Sequence, residues 1–258
     1  MSGTVNMEKL TKELVAWMQT ELSKSGGSKI VLGISGGKDS SVVAALSVRA
    51  VGKENVYGVL MPNARQDDIA CAYQLVELLD IQHITCDIAP MVNAFTKTLE
   101  GPTGLFFDEV SSQTFINMPP RIRMTLLYAI SQSIEGSRVV NTGNLSERWI
   151  GYTTLYGDTI GAFSPLGGLT SEEVMELGIY LNLPAVLARK VPADGLSGKT
   201  DEENIGFSYQ VLNRYIRQGI CEDAQIKAKI DCLHARNKFK FQPMAYFPSP
   251  LPILAKDE

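Results

Sequence analysis

Apolar residues in the first part of the chain recur at two different spacings, and each spacing predicts a local structure. Between Asn6 and Leu22 they return every three or four positions, which predicts an amphipathic opening helix. Between Lys29 and Ile34 they form a nearly continuous run of branched side chains, as expected of a strand covered on both faces of a parallel sheet. The pattern therefore predicts an opening helix followed by a buried strand.

Short apolar runs and helical patterns keep alternating along the rest of the chain. Further strands are predicted over residues 55–61, 83–87 and 137–141, and helices over residues 41–51, 66–80, 91–99, 121–134, 171–182, 207–218 and 222–235. Residues 101–117, 149–168 and 191–206 lack a clean period and are predicted as loops. Strands that alternate with helices form βαβ units. We therefore predict an α/β fold with a doubly wound parallel sheet, helices on both faces and a single domain over residues 1–258.

Composition and charge narrow the class of protein. Of the 258 residues, 45% are hydrophobic and 20% are charged, which is ordinary for a globular enzyme, and the net charge is −4. A protein that binds nucleic acid neutralises many phosphates with basic side chains, and an acidic chain is poorly suited to this. We therefore expect no nucleic-acid partner. The apolar runs are too short to span a bilayer, and the four cysteines show no zinc-ligand spacing. We expect no membrane partner and a cytoplasmic location with free thiols.

A glycine-rich segment between the first strand and the next helix carries the clearest chemistry. It reads Gly33-Ile34-Ser35-Gly36-Gly37-Lys38-Asp39-Ser40. Glycines allow backbone amides to converge, and a helix N-terminus favours an anion, so the context predicts a phosphate site. The segment matches neither the Walker loop nor the Gly-x-Gly-x-x-Gly fingerprint. The alternative is a simple turn that begins a helix, with Asp39 in the first turn for dipole reasons.

The Ser-Gly-Gly-x-Asp-Ser pattern of this segment resembles the pyrophosphate loop of the ATP pyrophosphatases. The resemblance implies a Rossmann-like, three-layer fold and cleavage of ATP between its α and β phosphates. In such a reaction negative charge builds on the departing pyrophosphate, which the amides of residues 35–37 and the hydroxyls of Ser35 and Ser40 would stabilise. Asp39 would hold Mg²⁺, since a hard cation prefers carboxylate oxygen.

Several separated motifs resemble the ammonia-dependent NAD synthetase family. They are Gly58–Asn63, Arg121–Met124, Asn141–Glu147, Gly151–Asp158 and Pro192–Glu202. The resemblance implies that ATP, with Mg²⁺, activates the nicotinate carboxylate of deamido-NAD as an adenylate. Ammonia then attacks the adenylate, and the products are NAD, AMP and pyrophosphate.

The resemblance also implies the roles of individual residues. Asp39 and Glu147 would be the catalytic and magnesium-binding carboxylates. The ATP-binding residues would be Gly33, Ile34, Ser35, Gly36, Gly37, Lys38, Ser40, Thr142, Ser171 and Ala193. The deamido-NAD-binding residues would be Arg121, Tyr152, Leu155, Asp158 and Lys240.

The chain departs from the family pattern at several of its polar positions. The departures are Leu155, Ala162, Ser171, Ala193 and Phe239. Each replaces a polar or charged residue common in the family, so we expect a partly remodelled dinucleotide subsite in which Lys199 or Lys240 compensates charge. Residues 199–203 would close over ATP and exclude water.

Other interpretations of these residues stay open. Glu147 could form a surface ion pair with Arg148, and Tyr152 could simply pack its loop. Arg121 and Arg123 cannot share one helix face, so one at most would reach a substrate, and Arg121 is preferred. The chain could also be a tRNA-modifying pyrophosphatase or a nucleotide sensor without turnover.

The family resemblance also suggests partners. It implies a homodimer, for which the helices around Arg121 and Phe207 offer apolar faces. Only about 30 residues precede the glycine-rich segment, which leaves no room for a glutaminase domain. We therefore expect free ammonia as the nitrogen donor, with a separate glutaminase possible.

Overall fold

The computed structural model describes residues 6–101, 103–190 and 200–255. Its strands are β1 (Lys29–Gly33), β2 (Val56–Leu60), β3 (Gln82–Thr85) and β4 (Ser137–Val139). They form one sheet in the order β3-β2-β1-β4, and every pairing is parallel. The predicted α/β class and the four predicted strands are confirmed.

Eleven helices surround this sheet in the described residues. They are α1 (Met7–Lys24), α2 (Lys38–Val51), α3 (Ile69–Leu79), α4 (Ala89–Glu100), α5 (Ser112–Gln132), α6 (Leu145–Ile150), α7 (Ser171–Tyr180), α8 (Ala185–Ala188), α9 (Asp201–Ile205), α10 (Tyr209–Gln218) and α11 (Ala224–Asn237). In this part of the chain no helix is both long and apolar enough to cross a membrane.

Helices cover both faces of the sheet, as predicted. In β1, Ile30 and Leu32 point to a core shared with α1, α2 and α7, whereas Val31 points to a second core shared with α5. All three side chains are fully buried. Side chains alternate across a strand, so a continuous apolar run is what a sheet with two covered faces requires. A third core joins α6, α10 and α11 through residues such as Ile150, Leu212 and Ile230.

Two element predictions were wrong. Helix α5 begins at Ser112, not at Arg121, and it runs through Pro119 and Pro120. Ser111 caps it by accepting the Thr114 amide at 3.2 Å. A proline inside a helix costs about 3 kcal/mol, and the buried apolar face of α5 against the sheet offsets that cost.

The second wrong prediction is the loop over residues 191–206, because Asp201–Ile205 form the short helix α9. Thr200 caps α9 in a reciprocal arrangement with Glu203. A similar capping box lies at the start of α7, where Thr170 is the N-cap and pairs with Glu173.

The strand order places a crevice beside β1. The chain leaves β1 towards β2 on one side, and β4 later pairs with β1 on the other side. In open α/β sheets, ligands bind outside the carboxyl ends of the strands where the order reverses. The segments after β1 and β4 are therefore the expected walls of a site.

Candidate active site

The glycine-rich loop after β1 is shaped by close contact with α3. Gly36 has a φ of +77°, and a Cβ at this position would lie 2.8 Å from the backbone nitrogen of Ala72. A side chain is therefore excluded both by conformation and by space. The loop must carry glycine here to reach the N-terminus of α2.

The helix that follows presents an open N-terminus. Gly37 is the N-cap of α2, and no side chain among the described residues caps this end. The hydroxyls of Ser35 and Ser40 are 3.0 Å apart, and Ser35 Oγ accepts the Gly37 amide at 3.2 Å. Unpaired helix amides beside two hydroxyls suit an anion, so this geometry favours the phosphate site over a simple turn.

Asn141 organises the loop that follows β4. Its side-chain amide donates to the carbonyl oxygens of Asp158 (2.7 Å) and Ile160 (3.1 Å). Its Oδ1 accepts the amide of Gly143 at 2.9 Å and the hydroxyl of Ser164 at 3.0 Å. One buried side chain thus holds the segment carrying Asp158 against the segment carrying Glu147, a role that sequence reasoning missed.

Asn144 links the two predicted catalytic carboxylates. Its Oδ1 caps α6 by accepting the Glu147 backbone amide at 3.1 Å, and the backbone amide of Asn144 donates to the Glu147 carboxylate at 3.4 Å. Its Nδ2 donates to Asp39 Oδ1 at 3.1 Å. Asn144 is fully buried. Sequence reasoning also missed this residue, although the Asn-x-x-Glu spacing of a capping box was a usable signal.

A cavity of about 260 Å³ lies between the two loops. It is lined by Ser35, Gly37, Asp39, Ser40, Thr142, Gly143, Glu147, Thr153 and Asp158. The structure therefore brings both predicted metal-binding carboxylates to one cavity, together with the predicted nucleotide contacts Ser35, Gly37, Ser40 and Thr142. Asp158, predicted on the acceptor side, lies on the same wall.

The carboxyl groups in this cavity have unusual protonation behaviour. Loss of hydration, and then the nearby charge of Asp39, raise the pKa of Glu147 to about 8, although Lys38 opposes the shift. Restricted hydration also raises the pKa of Asp158, against the opposing hydrogen bond from the Thr154 amide. Raised carboxyl pKa values in a cleft are typical of a functional site.

Lys38 is buried directly beside this acidic pair. Only 4% of it is exposed, and its Nζ donates to Asp39 Oδ2 at 2.7 Å. Burial alone would lower the pKa of this ammonium, but the charges of Asp39, Glu147 and Asp201 outweigh burial and raise the pKa. Lys38 is therefore charged at neutral pH, although it is not among the side chains that line the cavity.

A second, smaller cavity of about 30 Å³ adjoins the first. The two share Gly143, Thr153 and Asp158 in their walls. The Thr153 hydroxyl is buried and has no hydrogen-bond partner among the described residues. Across the cavity, the Arg148 guanidinium lies 4.8 Å above the ring of Phe241, not against Glu147 as in the surface-pair alternative. The small cavity has room for about one water-sized molecule.

Several predicted contacts lie away from both cavities. Ser171 is buried at the start of α7, where its amide donates to Ser146 Oγ at 2.9 Å. Tyr152 packs beside the third core, and its hydroxyl accepts from Asn204 Nδ2 at 3.3 Å, which favours the packing interpretation. Ala193 and Lys199, predicted near ATP, lie outside the described residues.

The basic residues on the acceptor side contact backbone. Arg121 is exposed, and its Nε donates to the Leu155 carbonyl at 3.1 Å. Arg123 is half-buried, and its Nε donates to the Met61 carbonyl at 3.0 Å. Lys240 donates to the carbonyls of Gly151 (2.7 Å) and Thr153 (2.9 Å). Arg121 and Lys240 therefore hold the segment over residues 151–158, whereas Arg123 holds the backbone just after β2.

The parallel sheet and its two loops define an α/β protein with the ATP pyrophosphatase fold. A family model described as NAD synthase matches residues 10–242. The chain belongs to the NAD synthase family. An NH3-dependent NAD+ synthetase of Methanococcus aeolicus is 37% identical to it over 215 residues, covering 82% of this chain and 83% of that relative.

Two solved structures resemble the chain over nearly its whole length. The NMN synthetase of Francisella tularensis superposes with a TM-score of 0.85 at 30% identity, covering 95% of this chain and 99% of that one. The NH3-dependent NAD synthetase of Campylobacter jejuni superposes with a TM-score of 0.76 at 28% identity, covering 95% and 100%.

Proposed function

We propose that this chain is a ligase that converts deamido-NAD, ATP and ammonia to NAD, AMP and pyrophosphate. The observation that carries the proposal is the meeting of Asp39 and Glu147 on one cavity, joined by Asn144 and placed beside the open N-terminus of α2. Family membership gives the reaction class, and this geometry supports the residue roles that we propose.

The first step activates a carboxylate. An oxygen of the nicotinate carboxylate attacks the α-phosphorus of ATP, and the bond from that phosphorus to the bridging oxygen of pyrophosphate breaks. The leaving pyrophosphate gains negative charge, which the amides at the start of α2 and the hydroxyls of Ser35 and Ser40 stabilise. Thr142, on the opposite loop, faces the same cavity and contacts the nucleotide.

The donor set around Asp39 fits a magnesium ion that arrives with phosphate. Mg²⁺ in nucleotide sites is held by one or two carboxylates together with phosphate oxygens. Asp39 and Glu147 supply two carboxylates, and the described residues contain no group of three or more acidic, His or Cys side chains that could hold a metal alone. When bound, the ion would neutralise charge on the phosphates.

The second step uses the small cavity. The nitrogen of ammonia forms a bond with the activated carbonyl carbon, and AMP leaves as that carbon's bond to the phosphate oxygen breaks. A cavity of about 30 Å³ fits one such small nucleophile beside the larger cavity. Thr153 Oγ offers it a hydrogen-bond partner, and the Asp158 carboxylate accepts the proton that ammonium must lose.

The acceptor side shapes the subsite for deamido-NAD. In this proposal, Arg121, Tyr152, Leu155 and Lys240 contribute by holding residues 151–158 in place, with Asp158 nearest to the chemistry. Ser171 and Ala193 remain proposed nucleotide contacts through their positions in the family motif.

A homodimer completes the proposal. The helices α4 and α5 and the segment between them expose large apolar side chains, including Phe95, Phe106 and Phe115. The alternative face near Phe207 is already buried within the third core of the same chain. Light scattering coupled to size-exclusion chromatography tests this: a dimer is expected from the native chain, and Phe115→Glu should shift it towards monomer.

A second candidate acceptor is the deamidated form of NMN. The observation that favours it is the TM-score of 0.85 with the NMN synthetase of Francisella tularensis, against 0.76 with the NAD synthetase of Campylobacter jejuni. The activated carboxylate is the same nicotinate group in both cases. The two candidates differ only in whether an adenylyl group extends from the acceptor.

One assay tests both acceptors. Purified protein, ATP, Mg²⁺ and ammonium are incubated with either deamido-NAD or nicotinate mononucleotide, and AMP, pyrophosphate and amidated product are quantified. Equal amounts of the three products with deamido-NAD support the proposal. Product only with the mononucleotide supports the second candidate, and AMP formation that does not depend on either acceptor contradicts both.

A further inference from the structure

A buried ammonium lies where the proposed metal site needs positive charge. Lys38 is the first residue of α2, where the helix dipole disfavours a cation, and it is 4% exposed. Burying an unpaired charge is costly, so the surroundings must compensate for it. Its Nζ lies 2.7 Å from Asp39 Oδ2, and that contact is the compensation the structure shows directly.

Asp39, from α2, is the carboxylate that contacts this ammonium. Two carboxyl groups on other elements, Glu147 of α6 and Asp201 of α9, add to the effect of Asp39 in raising the pKa of Lys38. Asp201 is itself buried and accepts from the hydroxyl of Tyr209 at 3.2 Å. Lys38 is thus a buried cation in direct contact with one of the two carboxylates proposed to hold the metal.

Each oxygen of Asp39 already accepts a hydrogen bond. Oδ2 accepts from Lys38, and Oδ1 accepts from Asn144 Nδ2 at 3.1 Å. A free divalent cation that binds Asp39 must compete with an ammonium fixed in the same protein. A cation carried by ATP is already held by phosphate oxygens, so it depends less on Asp39 than a free cation does.

We infer that Lys38 is a built-in counter-cation that keeps free divalent metal out of the Asp39–Glu147 site, so that the metal enters only together with the nucleotide. The inference rests on the proposed metal site but concerns the order of loading. It makes Lys38 a positioning residue for the two carboxylates, with a role that is distinct from direct contact with ATP.

Mn²⁺ titration followed by electron paramagnetic resonance tests the inference on the full chain without nucleotide. Lys38→Met removes the charge at similar volume, and it is expected to tighten the binding of free Mn²⁺ by about tenfold or more. Lys53→Met is the matched control, because Lys53 pairs with Asp80 in an exposed ion pair away from the cavity. It should bind Mn²⁺ as the unmodified chain does.

Further variants make the result specific to the site. Adding Asp39→Asn to Lys38→Met should abolish the gained Mn²⁺ binding, and Lys38→Arg, which keeps the charge, should bind free Mn²⁺ as weakly as the unmodified chain. Lys38→Gln replaces Lys38→Met if circular dichroism shows that the methionine variant is unfolded. Unchanged or weaker Mn²⁺ affinity in the folded neutral variant overturns the inference.

The unmodified chain offers an independent check. If it binds free Mn²⁺ as tightly as it does in the presence of ATP, the inference is wrong whatever the variants do. Failure of the proposed function has a different signature, since the chain would then bind no Mn²⁺ with ATP and form no AMP with either acceptor.

Discussion

On the nucleotide side of the cavity, a side chain of one loop bonds directly to a side chain of the other, whereas on the acceptor side the basic side chains bond to backbone carbonyls of residues 151–155. The nucleotide side comprises residues 35–40 and 141–147, where Asn144 bonds directly to Asp39. The acceptor side comprises Arg121, residues 151–158 and Lys240, whose ammonium holds two loop carbonyls. The bond between Asn144 and Asp39 thus positions a proposed catalytic group, whereas the bonds made by Arg121 and Lys240 fix the shape of a loop.

This difference indicates which side of the cavity controls turnover and which side controls acceptor binding. A network of side-chain bonds fixes charges in advance, which suits an invariant step such as the departure of pyrophosphate. A loop held through its backbone defines a surface whose fit depends on shape. Changes on the nucleotide side should therefore abolish turnover, and changes on the acceptor side should mainly weaken acceptor binding.

The largest effect is expected for Asp39→Asn. Removing this charge leaves the proposed metal and the departing phosphate without a carboxylate partner, so kcat should fall about 10²- to 10³-fold. Release of pyrophosphate is the measurement. Asp80→Asn, on an exposed ion pair, is the control and should retain full activity. Retained turnover in Asp39→Asn would remove this carboxylate from the mechanism.

Glu147→Gln should separate activity from stability. The folded protein has a Glu147 pKa of about 8 against an ordinary 4.5, so between these pH values it holds a proton that the unfolded chain has lost. The stability of the ligand-free protein therefore falls as pH rises through this window, and the loss is complete above pH 8.

The Glu147→Gln variant does not lose this stability at high pH, because its side chain cannot ionise. It should lose most of its activity, yet its free energy of unfolding at pH 9 should exceed that of the unmodified chain by roughly 4 to 5 kcal/mol, with little difference at pH 5. Urea unfolding at both pH values is the measurement. Equal stabilities at pH 9 would mean that Glu147 ionises at no cost in the folded protein.

An intermediate effect is expected for Lys240→Met. The change removes two charge-assisted hydrogen bonds to residues 151 and 153, which should loosen the loop and raise the KM for deamido-NAD about tenfold. The KM for ATP should change little. Lys238→Met, on an exposed neighbour in the same turn, is the control. An equal rise in both KM values would contradict the division between the two sides.

The smallest effect is expected for Arg121→Gln. This exposed side chain makes one bond to the Leu155 carbonyl, worth about 1 kcal/mol at most, so the KM for deamido-NAD should rise no more than about fivefold. Arg123→Gln is the comparison, because Arg123 is half-buried and should cost more stability. A loss of more than about 50-fold in Arg121→Gln would show a direct contact with substrate charge.

Local signals predicted the frame of the fold well. The buried run of β1 and the start of α7 depend on neighbouring residues, and both are where the pattern placed them. Helix α5 was predicted too short because Pro119 and Pro120 are unfavourable locally, whereas packing against the sheet decides the outcome.

The candidate site was predictable only in part for the same physical reason. Asp39 and Glu147 stand in recognisable motifs, so the sequence was enough to select them, and the structure brings them to one cavity. The bridging role of Asn144 and the burial of Lys38 depend on how distant segments meet, which spacing along the chain does not encode.

The bond between Asn144 and Asp39 joins residues 105 positions apart, and that separation has a consequence for folding kinetics. The two carboxylates are united only after β4 has docked beside β1, which requires closure of a loop of about 100 residues. Long-range parallel pairing is intrinsically slow. The pair formed by Asp39 and Glu147 is therefore among the last parts of the molecule to form. A nascent chain that ends before Ser137 lacks the second wall of the site and should not bind the nucleotide there.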